Sequence, residues 1–99
     1  MMVYVAHRYE GNADNLNRAA EICRKLQLQH PENCYISPLH AFSYLNYNQI
    51  GYDKEMELCL DLLSVCDIII IASEISEGVR REIELAEKLH MEVIYYDKC

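Results

Sequence analysis

Two short stretches of this chain hold the residue types that chemistry needs. The first is Ser73-Glu74-Ile75-Ser76-Glu77-Gly78-Val79-Arg80-Arg81-Glu82. Ser76 stands where a helix N-cap belongs. Helix N-termini carry unpaired N–H groups and a partial positive charge. A serine hydroxyl, with Gly78 allowing close approach, completes a site for a phosphate or a sugar hydroxyl. The plainer reading is that Ser76 only caps the helix and Gly78 only relieves a turn.

Glu82 adds a carboxylate to that helix. At about 100° per residue, Val79, Ile83 and Ala86 define the inward stripe, and Glu82 lies on its edge. Arg80, Arg81, Glu84, Glu87 and Lys88 lie mainly outward, with Glu84 and Lys88 as a favourable i,i+4 pair. Glu82 is thus the one charge on this helix that leans toward the sheet, where it needs a cavity or a partner. The alternative is a flank residue that reaches solvent or pairs with an arginine such as Arg8. A nucleophilic carboxylate must be ionised, which predicts a pKa near the ordinary value of about 4.3. Burial without ligand access would raise it.

The second stretch is Ala6-His7-Arg8-Tyr9-Glu10-Gly11-Asn12. Arg8 can neutralise a phosphate. His7 can donate hydrogen bonds or act as an acid. Both also suit an exposed loop. Gly11 lacks the repeated glycines of a dinucleotide-binding turn. His40 follows a short strand and is a third candidate for ligand contact. Phe42, Tyr44, Tyr47 and Tyr52, with Asn46, Asn48 and Gln49, could wall a pocket for a flat ring or form a subunit contact. No metal-ligand spacing, P-loop or G-x-S-x-G turn occurs, so no cofactor or metal is expected.

The elements that must position these residues alternate in type. Met2–Ala6, residues 34–37, 67–72 and 92–96 read as strands. Residues 12–29, 53–65 and 76–90 read as helices, started by Asn12 or Asp14, by Asp53 and by Ser76. Leu16, Ala19, Ala20, Cys23 and Leu26 should face inward from the first of them. Residues 39–52 fit a short helix or an ordered loop. Four consecutive isoleucines at 68–71 imply burial on both faces, the mark of a central parallel strand. Such alternation predicts an α/β fold: a three-layer α/β/α sandwich, Rossmann/flavodoxin-like, with about four parallel strands in the order 2-1-3-4. Ligands bind such sheets at the carboxyl edge, where the strand order reverses. That places residues 6–12 and 73–78 at the site.

Composition narrows the classes of function. The chain has 99 residues, enough for one domain spanning 1–99. Nine Lys and Arg against 16 Asp and Glu give a net charge of −7, which disfavours duplex nucleic acid as a partner. The longest apolar run, residues 68–72, is far short of the roughly 20 needed to span a membrane as a helix. The opening MMVYVAHRYE has no basic start and no long apolar region, so a cytoplasmic location is expected. The five cysteines are Cys23, Cys34, Cys59, Cys66 and Cys99. None forms a C-x-x-C pair, and Cys23, Cys59 and Cys66 read as small core residues.

Three segments together, VYVAHRYEG, LLSVCDIIIIA and SEGVRREIELA, resemble the nucleoside 2-deoxyribosyltransferase-like superfamily. That superfamily includes the 2′-deoxynucleoside 5′-monophosphate N-glycosidases. The likeness is strongest to small uncharacterised bacterial and phage members and runs through nearly the whole chain. It implies that Glu82 attacks the anomeric carbon of a deoxyribosyl group and forms a covalent glycosyl–enzyme, with Tyr4 positioning it. It implies a 5′-phosphate contact from Ser76; together with the loop residues read above, the expected substrate or phosphate contacts are Ala6, His7, Arg8, His40, Ser76 and Gly78. It also implies a homodimer or higher homo-oligomer. Two features depart from the pattern. The family's second aspartate, eight residues before Asp67, is replaced by Cys59. The glycine-rich first loop is replaced by His7-Arg8-Tyr9-Glu10.

The expected function is therefore cleavage of the N-glycosidic bond of a nucleoside or nucleotide, or deoxyribosyl transfer, with His7 or His40 in place of the missing aspartate. The alternatives are a non-catalytic module that binds a nucleotide derivative in the same pocket, and an oligomeric structural or interaction protein.

Overall fold

The computed structural model describes residues 1–45 and 47–96. In chain order the elements are β1 (Met2–Ala6), α1 (Ala13–Gln29), β2 (Cys34–Ile36), α2 (Pro38–Ala41), α3 (Tyr47–Ile50), α4 (Tyr52–Ser64), β3 (Ile68–Ile71), α5 (Glu77–Lys88) and β4 (Glu92–Tyr95). The four strands form one sheet in the order β2-β1-β3-β4. Every pairing is parallel, with Tyr4 opposite Ile69 and Ala6 opposite Ile71. The strand order and layering are those expected from the alternation of strands and helices.

The isoleucine run makes the sheet two-sided. Ile69 and Ile71 join Tyr4 and Ala6 on one face, against Leu63 of α4 and Val79, Ile83 and Ala86 of α5. On the other face Val5 and Ala72 pack with Ile22, Cys23 and Leu26 of α1. Period-two alternation sends neighbouring strand residues to opposite faces, and both faces here meet helices. Each fully buried aliphatic side chain contributes about 1.5–3 kcal/mol of transfer free energy.

Two local expectations are corrected. The inward stripe of α1 is rotated: its buried residues are Asn15, Ala19 and Ile22, while Leu16, Ala20, Cys23 and Leu26 are half-buried. Asn15 can occupy a buried position because its amide donates to the Tyr9 carbonyl at 3.1 Å. Asp53 does not cap α4. Gly51 stands at that cap with φ of 81°, and Asp53 lies inside the first turn, where its charge still complements the helix dipole. Ahead of α4, where a short helix or an ordered loop was expected, α2 and α3 are two single helical turns.

The ends of α1 and α5 follow ordinary capping chemistry. The Asn12 side chain accepts from the backbone N–H of Asp14 at 2.7 Å. The Ser76 hydroxyl accepts from the Val79 N–H at 3.3 Å. Helix α5 ends in a Schellman turn, with His90 N–H bonded to the Glu87 carbonyl and Met91 N–H to that of Ala86. His90 takes the left-handed position, at φ of 59°, that glycine more often fills. This turn reverses the chain directly into β4.

Leu63 is wholly buried between α4 and the sheet. Leu63→Ala should lower the unfolding free energy by about 2–5 kcal/mol, read as a fall in the urea midpoint with an unchanged slope.

Candidate functional site

A cleft of about 210 Å3 opens at the carboxyl edge of the sheet. Its walls come from the β1–α1 loop, the start of α2, one face of α4 and the first turns of α5. This is the place where β1 and β3 send their connections to opposite sides. Glu82, Ser76 and Gly78 reach the cleft from α5 and its cap, and His7 and Arg8 from the first loop.

The two loops are joined by specific bonds. The Arg8 backbone N–H donates to the Ser73 Oγ at 2.8 Å, and that hydroxyl donates to the Glu74 carbonyl at 2.9 Å. The Arg8 guanidinium lies 3.0 Å from the Glu74 carboxylate and 3.8 Å from that of Glu10. The first loop itself closes as a tight turn, with Asn12 N–H donating to the Tyr9 carbonyl at 2.9 Å. Glu10 and Gly11 sit at its centre with φ of 54° and 70°, the pattern of a type I′ turn. Gly11 therefore serves this turn.

Glu82 is 5% exposed. Its carboxylate accepts a hydrogen bond from the Tyr4 hydroxyl, which rises from the buried middle of β1. Burial pushes the Glu82 pKa up to about 7, and the Tyr4 bond opposes that rise. The expectation of an ordinary pKa is thus not met: near neutrality Glu82 is a mixture of acid and carboxylate. Burial, and then the neighbouring Glu82, hold the Tyr4 hydroxyl well above its usual pKa, so it remains a donor. Cys59 completes the cluster from α4. Burial and the charges of Glu82 and Glu55 push its thiol up to about 12, so it stays protonated.

His7 is 3% exposed. Its Nδ1 lies 2.7 Å from the Arg8 carbonyl oxygen. A carbonyl can only accept, so the proton sits on Nδ1 and the neutral ring leaves Nε2 as an acceptor. Burial lowers the His7 pKa, and Arg18 and Arg8 lower it further, against the raising effect of the Arg8 carbonyl. Nε2 is buried and has no hydrogen-bond partner.

Some expected residues are elsewhere. Ala6 is buried in β1, where its carbonyl accepts from the Ala72 N–H at 2.8 Å, and it does not line the cleft. His40 is exposed, its Nδ1 bonded to the Ser37 Oγ at 2.7 Å, and it too stays outside the lining. The single turn of α2 carries it to solvent, away from the cleft. A Cβ on Gly78 would lie 3.2 Å from the Tyr52 Oη and 3.5 Å from the Met56 Sδ. The missing side chain there makes room for α4 at least as much as for a ligand. Of the aromatic group, Tyr52 lines the cleft. Phe42 and Tyr44 instead meet edge to face, with centroids 6.5 Å apart. Asn46 and the Tyr47 side chain lie outside the described residues, as does Cys99.

Sequence reasoning missed Glu55. It lines the cleft from α4, and its Oε2 is buried with no hydrogen-bond partner. Burial raises its pKa. The signal was present: Glu55 lies four residues before Cys59, so the two share one side of a helix. No group of three or more His, Cys, Asp or Glu among the described residues is arranged to hold a metal ion. No helix among them is long and apolar enough to cross a membrane.

A family model covers residues 1–96, and the chain belongs to that family, DUF7768, a domain of unknown function. No curated protein matches the chain.

The buried acid has a consequence for stability. Its folded pKa of about 7 exceeds the ordinary 4.5. The folded chain therefore holds the extra proton between those values, and stability falls as pH rises through that window. The penalty saturates above it at about 3 kcal/mol. Glu82→Gln keeps an acceptor for Tyr4 and removes the ionisation. It should melt at a higher temperature than the parent at pH 8, with the difference fading by pH 4.5 in thermal scans.

Proposed function

We propose that this protein cleaves the N-glycosidic bond of a nucleoside or nucleotide, or transfers its deoxyribosyl group, with Glu82 as nucleophile. The observation that carries the reading is the Tyr4–Glu82 pair on the wall of the cleft. A carboxylate desolvated in this way and held by one neutral donor is a stronger nucleophile than one in water. The Tyr4 hydroxyl fixes its orientation, and the cleft gives an anomeric carbon access to it. The resemblance of the Ser76, Gly78 and Glu82 spacing to the deoxyribosyltransferase-like enzymes supports the same assignment.

In the first step a Glu82 oxygen bonds to the anomeric carbon. The carbon–nitrogen bond breaks, its electron pair stays on the base nitrogen, and the base takes up a proton from solvent. In the second step water or another base attacks the same carbon and the bond to Glu82 breaks. Water gives the free sugar and returns a proton to the medium. A second base gives a new nucleoside. Cys59 supplies no acid–base step at neutral pH, since its thiol is held near 12.

The second reading is a non-catalytic module that binds a nucleotide derivative in the same cleft. The specific observation in its favour is the raised pKa of Glu82, which leaves part of the population protonated near pH 7.

The discriminating experiment is chromatography of free base after incubation with nucleosides, deoxynucleosides and their 5′-monophosphates. The cleavage reading expects base release by the parent and a loss of at least a thousandfold in Glu82→Gln. No release from any substrate, with or without an acceptor base, retires cleavage and leaves binding.

The pH profile adds a separate prediction. The ionised carboxylate is the reactive form, so the rate should rise with pH along a limb centred near 7. Tyr4→Phe removes the donor that favours ionisation. Its limb should move to higher pH, whereas a purely structural defect would lower the rate without moving it.

A further inference from the structure

The charge balance of the cleft argues against the anion that its helix N-terminus first suggests. Four carboxyl groups line it, those of Glu10, Glu55, Glu77 and Glu82, against one guanidinium, that of Arg8; Glu77 pairs with Arg80 at 2.6 Å, and Glu82 is only partly ionised near pH 7. Arg8 is already engaged, 3.0 Å from Glu74 and 3.8 Å from Glu10. His7 is neutral near pH 7, because burial lowers its pKa. The Ser76 oxygen accepts from the Val79 N–H, and its own O–H stays available as a donor at that cap. A phosphate entering here would meet these like charges, with the α5 N-terminus and the Ser76 hydroxyl as its counterweight.

Two polar atoms of the same cleft point to another occupant. The His7 Nε2 and the Glu55 Oε2 are both buried without a hydrogen-bond partner. Buried polar atoms are seldom left in that state, since each forfeits its hydration for nothing in return. Both are acceptors in these forms, His7 because its proton is on Nδ1, Glu55 as a carboxylate. They require a ligand with N–H or O–H donors. A phosphate dianion has only acceptors to offer.

We propose that Glu55, with His7, sets the specificity of the cleft: together they select an uncharged ligand rich in hydrogen-bond donors and exclude anions. This rests on the reading of the cleft as a nucleoside-type site. It assigns Glu55 to recognition. Within α4, an acidic residue in the first turn also complements the helix dipole. That role alone would leave Glu55 with no effect on the choice of ligand.

The test is calorimetric binding of carbocyclic 2′-deoxyadenosine and its 5′-monophosphate to the parent protein. The carbocycle lacks the ring oxygen that assists departure of the base and is not cleaved, so affinity is measured apart from turnover. The parent should bind the uncharged analogue at least tenfold more tightly. Glu55→Gln removes the charge and keeps the shape, and should narrow that preference at least tenfold, mostly by improving binding of the monophosphate. Glu55→Ala should do the same, which guards against one variant failing to fold. A parent that prefers the monophosphate, binds neither analogue, or keeps its preference in both variants overturns the assignment. Tight binding of the uncharged analogue, with no base released from 2′-deoxyadenosine itself, would keep this assignment and retire cleavage. Base release with a preference for the monophosphate would do the reverse.

Discussion

The rest of the site depends on one constraint, a carboxyl group held almost out of water at the edge of a parallel sheet. Glu82 can occupy that place because Tyr4 offers it a hydroxyl from inside the sheet. A lone buried carboxylate would cost several kcal/mol. One donor reduces the cost without removing it, which leaves the group poised near neutrality instead of fully ionised. Tyr4 can reach it because β1 lies next to β3, with Tyr4 registered against Ile69 under the first turns of α5. Strand order, helix placement and the protonation of Glu82 are thus one linked arrangement.

The surrounding bonds keep the arrangement in place. Ser73 joins the two loops, Arg8 pairs across them, and the tight turn at Glu10 and Gly11 holds Tyr9 and Glu10 beside the opening. Gly78 lets Tyr52 and Met56 of α4 approach the start of α5. The cleft, about 210 Å3 in volume, is therefore bounded by elements that contact one another. Preorganisation of this kind lowers the ordering cost of binding.

Much of this was legible in the residues. The isoleucine run could only be a strand buried on both faces, and it anchored the whole topology. Ser76 was legible as a cap because a polar residue followed by Val79, Ile83 and Ala86 at helical spacing marks a helix start. Glu82 stood out because its angle on that helix conflicted with its charge. Its shifted pKa was harder to foresee, since it depends on how much water the cleft admits. Glu55 was hidden because an acidic residue near a helix start already has an ordinary explanation. His40 misled because proximity to a strand end does not set direction, and one turn of helix carries it to solvent. Asn15 went unnoticed since periodicity assigns buried positions to apolar residues, and only the Tyr9 carbonyl makes that place suitable for an amide.

The most direct test of the account is a carbon-13 NMR titration of the Glu82 carboxyl, assigned by comparison with Glu82→Gln. The account predicts a midpoint near 7 in the parent and a higher one in Tyr4→Phe. A midpoint near the ordinary 4.5, unmoved by loss of the tyrosine hydroxyl, would contradict it, because Glu82 would then be a solvated surface carboxylate with no special environment to exploit.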